Sequence, residues 1–308
     1  MTRLFVFLGS LLVLTLLAAL VVPPFVNWNQ FKEQFETEAT RILGQKVEVL
    51  GQTSARLLPL PSVTFQDVRV GEVLDGEPLL TAKSFHMDME LAPLLKGEFD
   101  VVEMSLHQPR LAVSINDRGA ISLLNRAPGA SLDISSDDVS LDNIKITDGV
   151  LRVRDAVSTH EVIVKDIDVK ASARTLAGPW NVDGAITHRD NRIRVSGIGG
   201  KWQETAENSS RMSLRMTAQP QSLPYDLEFE GPFTLTNGMP RLTGSFSVKR
   251  MSRQSADERI AFARPSRAHA LNVSLQGLLK LTAKGAIVPE FKLNVGDRED
   301  PYGVGGAA

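Results

Sequence analysis

The chain has 308 residues, 43% of them apolar and 23% charged, which is the composition of a folded protein long enough for two ordinary domains. Its 34 Lys and Arg nearly balance 36 Asp and Glu and are scattered rather than striped, so nucleic acid is excluded as an expected partner. The absence of cysteine excludes disulfides, thiol nucleophiles and thiolate metal sites, and leaves the redox compartment undecided.

From Leu4 to Val26 no residue is charged, and Leu, Val, Phe and Ala dominate. As a helix these 23 residues would extend roughly 35 Å against a hydrocarbon core of about 30 Å, so residues 1–26 are predicted to form a transmembrane signal anchor. A cleaved signal peptide is the alternative, but Ala18 to Pro24 offers no Ala-x-Ala pattern. Arg3 precedes the span while Lys32 and Arg41 follow it, and the short tail before Arg3 favours an N-terminus on the inner side.

Pro23-Pro24 removes two backbone donors and ends the span. An amphipathic helix is predicted over 27–44, with Asn27 as N-cap, Gly44 as C-cap, and Trp28, Phe31, Phe35, Ala39 and Ile42 on one face. Trp28, Phe31 and Phe35 are candidates for the membrane interface. The competing reading makes this helix a cap on the end of the following sheet, because Glu33, Glu36 and Glu38 suit anionic lipid poorly.

After Gly44 the period changes from 3.6 to 2. Phe85, Met87 and Met89 alternate with His86, Asp88 and Glu90, the pattern of a half-buried strand. The alternation returns in Leu111, Val113 and Ile115, in Ile144 and Ile146, in Leu151 and Val153, and in Val162 and Val164, and it continues to Leu293 and Val295. Arg118-Gly119, Asp148-Gly149, Asp183-Gly184, Asp190-Asn191 and Asn237-Gly238 are predicted to close the hairpins of a mostly antiparallel meander. A first β segment, 45–130, and a second, 131–308, are expected on either side of the Gly-, Ser- and Asp-rich stretch at 127–138. The ending at 296–308 reads as a strand cut short, so the second segment is expected to be truncated.

No catalytic constellation is visible. The five histidines never fall at i, i+2 or i, i+4, there is no G-x-S-x-G elbow, and Gly197 to Trp202 fails as a phosphate loop because Trp202 stands where a hydroxyl is required. Asp133, Asp137, Asp138, Asp142 and Asp148 crowd one region without the spacing of a calcium loop. No enzyme activity, metal or cofactor is therefore expected.

Leu43 to Gly51 and Leu57 to Gly71 (LLPLPSVTFQDVRVG) resemble the opening of the AsmA family, and the likeness continues through Leu91 to Gly97, Gln108 to Leu111, Ile146 to Gly149 and Ala173 to Trp180. Arg118 to Asn125 resembles, in slightly altered form, the asparagine-ended motif that follows the family's first β segment. The resemblance implies a single-pass bacterial inner-membrane protein with the bulk of the chain in the periplasm, a role in outer-membrane biogenesis, and phospholipid as cargo.

The fold class expected is mainly β: a transmembrane and an amphipathic helix, then a long, twisted, mostly antiparallel sheet curled into an open groove. Periodicity alone favours a packed core over an open groove, and the resemblance reverses that preference. About eighteen strands at about 4.8 Å would reach on the order of 90 Å. The residues expected to line the groove for lipid are Phe85, Met87, Met89, Leu111, Val113, Ile115, Ile144, Ile146, Leu151, Val153, Val162 and Val164. The alternative function is a scaffold binding outer-membrane or envelope assembly proteins through its sheet edges.

Overall fold

The computed structural model describes residues 7, 14, 32–71, 78–94, 101–121, 141–155, 160–175, 177–206, 209–250, 273–296 and 302–307. Among these, no helix is long and apolar enough to cross a membrane. The transmembrane helix expected at Leu4 to Val26 thus gains no support; apart from Phe7 and Leu14 it lies outside the described residues, as do Trp28 and Phe31.

The protein is mainly β, and seventeen strands form one mixed sheet. They are β1 (Val47–Val49), β2 (Thr53–Arg56), β3 (Ser62–Val70), β4 (Leu80–Met89), β5 (Val101–His107), β6 (Arg110–Ile115), β7 (Leu141–Asp155), β8 (Glu161–Ala173) and β9 (Trp180–His188). There follow β10 (Asn191–Gly199), β11 (Gln203–Ala206), β12 (Ser209–Pro220), β13 (Tyr225–Thr236), β14 (Met239–Arg250), β15 (Val273–Thr282), β16 (Gly285–Val295) and β17 (Tyr302–Ala307). Helix α1 (Lys32–Leu43) precedes the sheet, and one turn of helix, α2 (Leu91–Leu94), follows β4.

Chain order is nearly sheet order. β1 and β2 form one interrupted edge on β3, β5 and β6 lie end to end between β4 and β7, and β10 and β11 lie end to end on β12. All pairs are antiparallel except β5 with β7 and β6 with β7. The simple meander therefore fails at one place. A parallel pair needs a connection longer than a hairpin, and residues 116–140 supply it. The sheet runs unbroken through both predicted β segments.

Two predicted hairpins are not turns. Asp148-Gly149 lies inside β7, where Asp148 has φ 54° and the pairing with β8 shifts register: it is a bulge. Asp183-Gly184 lies inside β9, where a Cβ on Gly184 would collide with the Asp168 carbonyl. Arg118-Gly119 and Asn237-Gly238 are turns as expected, whereas the turn expected at Asp190-Asn191 falls one residue earlier, at Arg189-Asp190, because Asn191 already pairs with His188. Arg189 and Asp190 (φ 46° and 64°) and Asn237 and Gly238 (φ 52° and 75°) have the paired positive φ of type I′ hairpins.

Helix α1 ends as predicted, with Gly44 at φ 63° and its N–H donating to the Thr40 carbonyl at 2.9 Å. It caps the first edge of the sheet. The Glu36 carboxylate accepts the Val49 N–H at 2.6 Å and the Thr40 hydroxyl accepts the Val47 N–H at 2.9 Å, satisfying two donors of an edge strand. Beneath the helix lies the best-buried cluster, Val47, Val49, Phe65, Val68 and Val70, with Phe35, Ala39, Val63, Leu80 and Phe85 packed against it. Phe35, a candidate for the membrane interface, stacks on Phe65 with ring centroids 3.7 Å apart, so its face is taken by the sheet.

No second sheet packs on the first among the described residues. The sheet instead coils. The Ile121 N–H donates to the Gly238 carbonyl at 3.0 Å, although β7, β8, β9, β10 and β12 separate β6 from β13 along the sheet.

Candidate functional site

Residues paired across neighbouring strands project to the same face, so the register defines what each face presents. One rung starts Phe65, Phe85, Leu106, Ile146, Val169 and Gly184. It continues without a break through Val195, Ala218, Leu227, Val248, Leu275, Leu293 and Val304. A second rung, two residues along each strand, runs from Val63, Met87, Met104, Ile144 and Ala171 through Val182, Gly197, Met216, Phe229, Phe246, Gly277 and Phe291 to Gly306. Neither rung contains a polar side chain. Each crosses thirteen strands, about 58 Å at about 4.8 Å per strand, and the rungs lie about 7 Å apart.

The intervening positions make the opposite face. From Thr64 and His86 through Ser105, Lys145, Lys170, Asp183, Ser196, Thr217, Glu228, Ser247 and Gln276 to Lys292, every side chain is polar. Ion pairs such as Arg215 with Glu230 at 2.8 Å and Lys249 with Glu228 at 3.5 Å lie on this side. An open depression of about 450 Å³ between β7 and β12, with Lys170, Asp183 and Arg215 at its walls, also lies largely there, as the saddle shape of a twisted sheet allows.

Burial separates the faces. Phe229 is 8% exposed and Val182, Phe246 and Phe291 are half-buried, while Asp183, Glu228, Gln276 and Lys292 are exposed, although among the described residues no second layer covers either side of these strands. That contrast belongs to the inside and outside of a curve, with the apolar side inward. The inner surface is still open: Met216 is 39% exposed and Leu227 38%.

Keeping apolar residues inward across long strands requires a change of parity. Ile144 and Ile146 are even-numbered and Leu151 and Val153 odd-numbered, and the bulge at Asp148 lies between the two pairs. The same exchange occurs on β8, where Val162 and Val164 give way to Val169 and Ala171 across Asp166 at φ 46°, and on β3 at Asp67, φ 52°. Gln108, at φ 50°, stands between β5 and β6. These residues form a crease across neighbouring strands. At it, the Asp168 carboxylate accepts Arg192 Nη2 at 2.7 Å and the Asp148 N–H at 3.0 Å, and both bonds hold its pKa below the usual value, the arginine most.

The expected groove residues fall on one face. Phe85 and Ile146 lie on the first rung, and Met87 and Ile144 on the second. Leu111, Val113, Leu151, Val153, Val162 and Val164 pair with one another beyond the crease, joined to the same face through Leu80, which packs on the Phe65 cluster. Met89 is 6% exposed and thus closed off, and Ile115 bridges to Ile121.

Sequence reasoning left out much of the face, including Leu106, Met104, Val169 and Phe291. Met212, Leu214, Met216 and Ala218 alternate as cleanly as any residues chosen. Trp180, paired with Gly199, and Trp202, 5.8 Å from Phe233, complete the inner surface near β9 to β13.

Among the described residues no group of three His, Asp or Glu comes together to hold a metal. Asp133, Asp137 and Asp138 lie outside the described residues. A family model described as the AsmA family matches residues 1–287. No curated protein matches the sequence.

Proposed function

Because the chain belongs to the AsmA family, whose members point to the bacterial envelope, we propose that it is anchored in the inner membrane, extends into the periplasm, and carries phospholipid toward or from the outer membrane along its apolar face. The observation that carries this reading is the pair of unbroken apolar rungs over which, beyond α1 at their first strands, no element among the described residues packs. Moving two acyl chains of roughly sixteen carbons through water exposes them at about 0.8 kcal/mol per CH₂, more than about 20 kcal/mol in all. A continuous apolar trough removes most of that barrier. It keeps the chains dry while the head group stays in water, and a series of similar, weak positions lets the lipid move on. No reacting side chain is needed for this, and no cofactor.

Phospholipid transfer between donor and acceptor vesicles tests it. Met216→Asp and Leu227→Asp place a charge on half-exposed rung positions, where the fold tolerates it and an acyl chain does not. Transfer should fall well below that of the wild type, with an unchanged circular dichroism spectrum. Thr217→Asp, on the outer face, should transfer normally. Normal transfer in all three would contradict the proposal.

The second reading, a scaffold for envelope assembly proteins, draws on β17, whose only partner strand among the described residues is β16. A protein captured at β17, with transfer unaffected by Met216→Asp and Leu227→Asp, would favour it.

A further inference from the structure

We infer that α1 is a fixed end-stop of the apolar trough, with Phe35 occupying the place that an acyl chain would take over β3 and β4, so that lipid is held only from β5 onward and enters across the side of the trough; this rests on the lipid-carrying function proposed above. Both rungs begin on β3, at Phe65 and Val63. Nothing in their chemistry distinguishes these positions from later ones, and yet Phe65, at 3% exposed, is buried more deeply than the other rung residues, and Val63, half-buried, packs on the same cluster.

The difference is α1. The Phe35 ring lies nearly parallel to Phe65, with 18° between the planes at 3.7 Å, and 6.3 Å from Phe85; Ala39 packs on the same cluster. An aromatic ring flat on the trough floor excludes a hydrocarbon chain from it. From β5 onward no helix or strand among the described residues covers the rungs, and Met104, Leu106 and Ile144 remain half-buried.

The helix is tied in place. Glu36 and Thr40, one and five residues beyond Phe35, accept the outward N–H groups of Val49 and Val47, so displacing the ring would also strip two edge-strand donors of these acceptors. A chain arriving lengthwise from the β1 edge would have to break these contacts, whereas one arriving over the side meets an open floor.

Single diazirine side chains at Val63, Leu80, Met104 and Val182 of the full-length protein, photolysed in cells and analysed by mass spectrometry for phospholipid adducts, test this. Adducts are expected at Met104 and Val182 and absent at Val63 and Leu80. In Phe35→Ala they should appear at Val63 as well, a gain that a merely structural role for Phe35 does not produce. Adducts at Val63 and Leu80 in the wild type as strong as at Met104 would overturn the end-stop and leave the conduit standing. Adducts at none of the four would overturn the conduit and the end-stop with it. Should Phe35→Ala fail to fold, the wild-type comparison still decides.

Discussion

Gly277 lies on the second rung between Phe246 and Phe291, and a Cβ there would stand 2.9 Å from the Phe246 ring and collide with the Glu290 carbonyl. The glycine lets two large rings close over one strand. Gly277→Val is therefore expected to lower stability by about 1–3 kcal/mol in a denaturant titration, the ordinary cost of overpacking. Gly197 is the contrast: its nearest neighbours to a Cβ are 3.4 Å away, so Gly197→Ala should leave the midpoint nearly unchanged. Rung glycines explain why the inner face was only partly legible in the sequence. Gly184, Gly197 and Gly277 interrupt an apolar alternation without interrupting the face, and Gly184 beside Asp183 imitates a turn.

Ion pairs lie both at the crease, as with Asp168 and Arg192, and on the outer face, as with Arg215 and Glu230. Asp168 has its folded pKa lowered by Arg192 and the Asp148 N–H, so it binds its proton less readily than in the unfolded chain. Its contribution is present above the unfolded value and is lost as pH falls through the lowered one. Both partners are about a third exposed or more, at 32% and 40%, which keeps that contribution below about 1 kcal/mol. The stability difference between wild type and Asp168→Asn, measured by urea titration across acidic pH, should thus shrink toward zero on acidification.

At the level of elements, α1 shows what spacing can and cannot decide. Phe35 and Ala39 mark an apolar helical face plainly, but an apolar face fits a membrane surface and a sheet end equally well. The sheet end holds Phe35 because Glu36 and Thr40, the residues that follow Phe35 and Ala39, meet edge-strand donors. Glu36→Ala would leave the N–H of the fully buried Val49 without an acceptor, a loss of about 1–3 kcal/mol. Faster hydrogen exchange at Val49, with exchange at β13 unchanged, is the expected signature. The bulge at Asp148 was hidden for a related reason: Asp-Gly supplies positive φ to a hairpin and to a bulge alike, and only the partner strand β8 decides between them.

Across the whole molecule, strand content and alternation were legible from composition and period, because an uncovered sheet still needs every second residue apolar. The coil was not. It depends on the accumulated twist of many strands and on a contact between Ile121 and Gly238, which are more than a hundred residues apart. That coil gives a one-layer sheet an inside without a second layer, and the central claim is that lipid chains occupy this inside.

Trp180 and Trp202 report on it directly, since both lie at the inner surface. With Trp28→Phe removing the remaining tryptophan, the fluorescence of the full-length protein should be quenched by phospholipid brominated on its acyl chains and unaffected by the unbrominated lipid. Equal fluorescence in the two lipids would contradict a lipid-filled trough.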